Sequence, residues 1–472
     1  MKHDLVLIAH LVFTVGHALA ADPTAPRKTM AHAASGFEVL VPAPGPDAIA
    51  DEILQQAIDQ AASAGGGVVL LGVGDFKLSR KQGEETVVIK SGVTLRGQGY
   101  ATHLYFDPTT PPNPQRYYPV RIGTDAVPAH NVVIEDLRYT GNDQAIGGGS
   151  IMGFNARLDA PESLLLSCDN ITIRDCWIHD AKQAVGCSKP AARYMDADRL
   201  AAQFKNWQVH RNFIDTCGNK AVELAACNGG LIADNHIVNV ADGPQVIFGS
   251  RNVQIRDNIV YFTSTGINVT EGSHHIRVSG NHVEPMPDIN PGAVGPCLIF
   301  RTEPHPLDSK ISDVVVTGNI FRNRTTRSQC TVRFVTRKEA LSCVYEGITL
   351  TGNVFDGDVH FFDKMSPAHT TIRDIVFADN VCEGGVLSEP RGTMVSSHVL
   401  VRGNMLRQAG NVTLSASHWI WTGNTHVNGT LEVAAGANAN IIRDNVTTAP
   451  MTDHGMDNVL TGNVVMKKSD SP

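Results

Sequence analysis

Asn235–Val283 reads NHIVNVADGPQVIFGSRNVQIRDNIVYFTSTGINVTEGSHHIRVSGNHV, and Asn235, Asn258 and Asn281 stand 23 residues apart in it. Each is preceded by a short apolar-x-apolar run and one or two small or polar residues. Extending the alignment outward gives Asn212 upstream and Asn319, Asn353, Asn380, Asn404, Asn424, Asn445 and Asn463 downstream. Runs such as VQIRDN, IRVSGN, VVVTGN, ITLTGN and VLVRGN precede these asparagines, and Cys176 and Leu137 take the same slot in two earlier copies, ITIRDC and VVIEDL. Alternation over only three to five residues, broken by Gly, Asn and Asp, predicts short strands separated by tight turns.

A fixed period of this length signals a stacked repeat. No 3.6-residue periodicity runs through the copies, which excludes a helical solenoid, and leucine is absent from fixed slots. A parallel β-helix remains: an all-β, single-domain solenoid in which each copy is one coil of about three strands. The asparagine then has a physical reason. At an inward-facing turn its amide can donate to and accept from the asparagine one coil away, pairing polar groups that burial would otherwise leave unsatisfied. About fourteen coils at the spacing of neighbouring strands predict a body on the order of 65 Å long.

The open end of such a stack would recruit other chains unless covered. DAIADEILQQAIDQAASAGGG supplies a predicted amphipathic capping helix over 47–64, with Asp47 as N-cap, Ile49, Ile53, Leu54, Ala57, Ile58 and Ala61 on its apolar face, and Gly65–Gly67 ending it. The β-helix is expected to occupy 47–472, after an extension over 21–46. Met1–Ala20, MKHDLVLIAHLVFTVGHALA, has a short basic start, an apolar run and a small-x-small site. It predicts a secretory signal peptide cleaved after Ala20, and hence a secreted or periplasmic protein. No later segment has 18 consecutive apolar residues, so no membrane span is expected. The net charge of −8 argues against nucleic acid as a partner. Nine cysteines, none in a C-x-x-C pair, leave at least one unpaired within the chain, and several fill apolar slots of the repeat, where burial as small hydrophobes is expected.

The run ILQQAIDQAASAGGGVVLLGVGDFKL, then SGVTLRGQG, then asparagine-punctuated coils, resembles the right-handed parallel β-helix proteins of the pectate-lyase-like superfamily, over nearly all of the chain after Ala20. The resemblance implies a carbohydrate-active protein, whether lyase, glycoside hydrolase, fructotransferase, epimerase or phage tail protein. Calcium held by carboxylates is used by lyases of that superfamily. No cluster of aspartates is legible here, which leaves calcium open. Side-by-side association as a homotrimer is likewise open.

Insertions over 141–167, 188–204, 284–296, 302–310 and 336–342 lengthen some coils and are expected to wall a groove. Between strand residues that should face inward, several polar side chains should face out on the strand after the asparagine turn. These are Glu223 in KAVEL, Asn268 and Glu271 in GINVTE, Arg301 and Glu303 in CLIFRTE, Arg333 and Arg337 in CTVRFVTR, and His360 in DVHFFD. Lys220 and His210 are expected to join from the adjacent turn and face. From Arg301 to Glu339 eight basic residues face four acidic ones, which suggests an anionic ligand, because arginine forks match carboxylates.

These residues support three functions. The first is β-elimination on a uronate polysaccharide, with Arg301 and Arg333 neutralising the sugar carboxylate and Lys220, His210 or His360 as the base. The second is glycoside hydrolysis or transglycosylation, which needs two carboxyl groups: Glu223 with Glu271 or Asp215. For that second reading, IDTCGNKAVEL is similar to the glutamate-bearing region of inulin fructotransferases, which implies a role for Glu223. The acidic partner in that motif falls near Arg211 or Asn212, where no carboxylate stands. The third is a non-catalytic carbohydrate-binding β-helix using the same groove.

Overall fold

The computed structural model describes residues 36–45, 48–79, 86–107, 119–124, 126–141, 151–155, 167–188, 204–286, 295–302, 309–324, 330–336, 343–361, 370–388, 395–407 and 412–466. They belong to the compact unit Ser35–Pro472; the segment read as a signal peptide lies outside them.

Every strand pairs in parallel with the equivalent strand one coil away. One coil shows the plan. Phe204–His210 lies on a first face, and the chain turns at Asn212 into Phe213–Cys217 on a second. It then passes into Lys220–Ala225 on a third and returns to the first face with Cys227–Ala233. Among the described residues the first face is a 16-stranded sheet. The second and third faces form one 27-stranded sheet because Phe213–Ala225 and His236–Ile247 run around the corner between them without a break. Strand residues alternate in and out. The inward set forms one continuous core in which like residues stack, as in Phe321–Phe355 at 5.6 Å and Phe300–Phe334 at 4.6 Å between ring centroids. Each such buried side chain contributes about 1.5–3 kcal/mol.

The asparagines form the expected column. From Asn212 through Asn463 each Nδ2 donates to the Oδ1 of the next, at 2.8–3.1 Å, and each backbone N–H of the column donates to that same oxygen. Nδ2 also reaches a strand carbonyl one coil back, as Asn258 does to Ile232 at 2.9 Å. The repeating Asp or Gly before the asparagine follows from the backbone: Asp234, Asp257, Gly280 and Gly318 all have φ between 55° and 67°. Glycine takes that left-handed conformation freely and Asp tolerates it.

The capping helix is Asp51–Ser63, shorter than expected. Its N-cap is Ala50, without a side-chain cap; Asp47 lies outside the described residues. Leu54, Ala57, Ile58 and Ala61 are buried as expected, whereas Ile49 and Ile53 are exposed. Ile49 instead bridges to Lys77 as extended chain before the helix begins. Gln55 closes the sheet end: its Oε1 accepts from Val88 N at 2.8 Å and its Nε2 donates to Val88 O at 3.2 Å. One side-chain amide thus stands in for the missing neighbouring strand. The stack starts upstream of the helix, with Glu38–Val41 paired to Val68–Leu71. All nine cysteines are buried. Burial pushes the thiols of Cys176, Cys217 and Cys382 far up, which keeps them inert.

Candidate functional site on the third face

The polar residues singled out from the sequence are not on the strand that directly follows the asparagine. They are one strand further on, because each coil has a second corner that short period-two runs do not reveal. On the third face they form a single row of register partners: Gly186, Glu223, Gln245, Asn268, Ile299, Arg333 and His360. Their neighbours Leu224, Val246, Val269, Phe300 and Phe334 point into the core, so the row points outward. Two residues along each strand a second outward row runs through Thr270, Arg301 and Val335. Glu271 follows Thr270 at the strand end, and its backbone N–H donates to Arg301 O at 3.0 Å.

Outward does not mean exposed here. Glu223 and Glu271 are each 5% accessible, and Gln245 and Asn268 are each 1% accessible. The row is a recessed floor rather than the flat flank that alternation alone suggests. Polar groups held away from water in this way need partners. Glu223 has one, since Lys220 Nζ donates to its Oε2. Gln245 Nε2 donates to Thr270 Oγ1 at 3.4 Å, and Asn268 Nδ2 donates to Gly266 O at 3.1 Å. Their carbonyl oxygens accept no hydrogen bond.

Along the row, neighbouring coils are about 4.8 Å apart. Arg333 and His360 are adjacent rungs, and Arg301 is a diagonal neighbour of Arg333. Glu223 is four rungs from Arg333, about 19 Å away. The expected catalytic set therefore divides into two groups. Lys220 and Glu223 stand at one end, Arg301, Arg333 and His360 at the other, with Gln245 and Asn268 between.

Other expectations are corrected. His210 is on the first face, in register with Arg174 and Ala233, because it precedes the asparagine turn and belongs to the sheet before it. Burial, then the charges of Arg211 and Arg174, hold its imidazole below the usual histidine range. It cannot share a site with Glu223. Asp215 points out from the second face and accepts a hydrogen bond from Trp177 Nε1 at 2.8 Å, so it is no partner for Glu223 either. Glu303 and Arg337 lie outside the described residues.

The basic surplus after Arg301 is also dispersed. Lys310 pairs with Glu346 on the first face, and Arg322 and Arg324 stand by Asp356 on the second. Among the described residues, only Arg301 and Arg333 of that group serve the third face. No group of three or more His, Cys, Asp or Glu among the described residues is placed to hold a metal ion. No described helix is long and apolar enough to cross a membrane.

Gln245 was not anticipated. Its signal was present, since it is 22 residues after Glu223 and 23 before Asn268 with the same outward parity, but a lone Gln after Gly-Pro reads as a turn residue.

A sequence model of the right-handed β-helix region matches residues 192–297. No curated protein matches the chain. Among solved structures, a tailspike protein double mutant of E. coli bacteriophage HK620 is 14% identical with a TM-score of 0.57, covering 88% of this chain and 76% of that one. A second structure of that tailspike, in complex with a pentasaccharide, is 14% identical with a TM-score of 0.56, covering 88% and 75%. The A-module of the Azotobacter vinelandii mannuronan C-5 epimerase AlgE6 is 15% identical with a TM-score of 0.52, covering 89% and 96%. At such identities the likeness is one of backbone, and in fold this chain is a right-handed parallel β-helix protein.

Proposed function

We propose that the third face is the active surface of a secreted polysaccharide-active enzyme that cleaves a uronate-containing chain by β-elimination. The observation that carries this is the adjacency of Arg333 and His360 on neighbouring rungs with Arg301 on the diagonal, at the end of a recessed polar row. In β-elimination a base takes the C5 proton, and the freed electron pair builds the C4–C5 double bond. The C4–O4 bond breaks, and O4 leaves as a hydroxyl after taking up a proton. Negative charge gathers on the C6 carboxylate as the C5 proton leaves. Two partly buried guanidinium groups are suited to hold it. His360 is the imidazole within one rung and takes the C5 proton. Lys220 and Glu223 bind the chain further along.

The similar folds give this reading context. One binds a pentasaccharide, and the other is named for chemistry at C-5 of mannuronan. The hydrolytic alternative fits less well. Glu223 and Glu271 are separated by two rungs and three residues of strand, about 14 Å between backbone positions, against the roughly 5–9.5 Å between paired carboxyl groups that hydrolysis uses.

Incubation with alginate, pectate and glycosaminoglycans tests the proposal. Ultraviolet absorbance from unsaturated ends is expected on at least one. Reducing ends without that absorbance, or a changed uronate composition without chain cleavage, would replace elimination with hydrolysis or epimerisation.

A further inference from the structure

Gln245 and Asn268 occupy consecutive rungs next to Glu223, buried to the same degree as the core. The orientation of each amide is fixed by its surroundings. Asn268 Nδ2 lies on the carbonyl of Gly266, which has no proton to give, so the nitrogen must be there and Oδ1 is the atom left without a partner. Thr270 Oγ1 donates to Val246 O, so it accepts from Gln245 Nε2, and Gln245 Oε1 is left without a partner. Both oxygens are buried and accept no hydrogen bond. Two adjacent, aligned and unsatisfied acceptors are a cost to the fold, because each buried acceptor without a donor forfeits its hydration. Replacing both with apolar groups of the same shape would relieve that cost.

We propose that Gln245 and Asn268 form a donor-reading subsite that accepts hydrogen bonds from hydroxyl or acetamido N–H groups of a pyranose unit. This unit lies between the one at Glu223 and the one whose carboxylate meets Arg333. The position rests on the elimination reading; the donor class does not. A cation is the poorer occupant, since the amides are uncharged and the neighbouring carboxylate of Glu223 is already held by the Lys220 ammonium. Asn268 is two rungs from Arg333 and Gln245 three, about 10 Å and 14 Å. The subsite therefore reads a unit two or three sugars from the carboxylate under the arginines, and short oligomers do not reach it.

Two measurements on the full chain test this, using Gln245→Met, Asn268→Leu and the double variant. In the first, thermal unfolding without ligand is followed. An unchanged or raised Tm is expected, whereas a lowered Tm in both single variants would show that the amides hold the fold together and would overturn the proposal. In the second, calorimetric titration with mannuronate and galacturonate oligomers of two to six units gives Kd as a function of length. Wild type should gain affinity on lengthening; the variants should lose at least tenfold on the long oligomers and nothing on the dimers. Equal loss at every length would overturn the placement. If wild type binds no uronate oligomer, the elimination reading fails. The same titrations with neutral mannan and glucan oligomers then decide the subsite: loss in the variants supports it, and unchanged binding overturns it.

Discussion

The second and third faces are built from the same sheet and the same coils, yet they turn opposite chemistry outward. On the second face the equivalent row is Trp177, Phe213, His236, Ile259, His282, Ile320, Val354, Val381 and Met405. Its rings contact one another from coil to coil: Trp177–Phe213 at 6.0 Å, Phe213–His236 at 5.3 Å and Tyr261–His282 at 6.2 Å. Ile259, Ile320, Val354 and Met405 are more than a third exposed. Carboxylates on this face are paired, as in Asp215 with Trp177 and Asp356 with Arg324. The third face buries Glu223, Gln245 and Asn268 and leaves two amide acceptors unmet. Unmet buried acceptors cost the fold stability, and that cost is what the proposed sugar contacts on the third face would offset.

The contrast is broken most directly by exchanging the roles of the two faces. Arg333→Ala and His360→Ala should each lower turnover of the uronate polymer by about 100-fold or more, the scale on which losing one charge-stabilising or proton-transfer group acts. Tyr261→Ala on the second face should leave turnover within about twofold, which would be unremarkable for a surface substitution away from the site. Initial rates of unsaturated-end formation check both, and an equal loss in Tyr261→Ala would erase the distinction between the faces.

Next in size is a change beneath both faces. Asn258→Ala removes the acceptor of Asn235 N and Nδ2 and the donor to Ile232 O and Asn281 Oδ1. Orphaning these buried groups should cost about 3–5 kcal/mol, read as a lowered urea midpoint. A loss below about 1 kcal/mol would mean that water enters the turn and replaces the amide.

Acid sharpens the comparison from inside the solenoid. His426 accepts a hydrogen bond from Trp421 Nε1 at 3.1 Å, and burial pushes its imidazole down to about 4. It stays neutral in the folded chain where the unfolded chain would protonate it, near 6.5. Its contribution to stability is therefore complete above about pH 6.5 and is lost as the pH falls toward 4, up to about 3 kcal/mol. His426→Gln keeps an acceptor for Trp421 without titrating, so its unfolding midpoint should fall less between pH 7 and pH 4.5. Parallel curves for the two proteins would refute this origin.

The smallest effect belongs to the exposed row. Ile259→Lys or Ile320→Lys should change stability by no more than about 0.5 kcal/mol, the range of surface substitutions, with turnover unchanged. A loss of several kcal/mol would show that this row is covered in the working protein, which a change in oligomeric state on sedimentation would confirm.

The repeat was legible because stacking imposes it residue by residue. Asn235, Asn258 and Asn281 must recur for each amide to meet the next, and the left-handed residue before each of them is Asp or Gly, although Arg211 takes the same conformation before Asn212. Parity within a strand was legible too, which is why Glu223, Asn268, Arg333 and His360 were placed in one row before their register was known. The corner was not. Ile49 fits an apolar helical face in the sequence yet stands exposed, because the chain enters the helix only at Asp51; Ile53 is in the helix and is exposed as well. His210 and Asp215 lie close to Glu223 along the chain and on other faces of the solenoid.

The sequence by itself determined the solenoid, its asparagine column, its capping helix and the outward parity of the site residues, since each depends on neighbours one turn or one coil away. Only the tertiary structure decided which face each residue occupies, how many coils separate Glu223 from Arg333, and that Gln245 belongs between them. Those facts depend on where the chain turns its corners, and two corners in one coil are spelled by backbone angles that many residues can adopt.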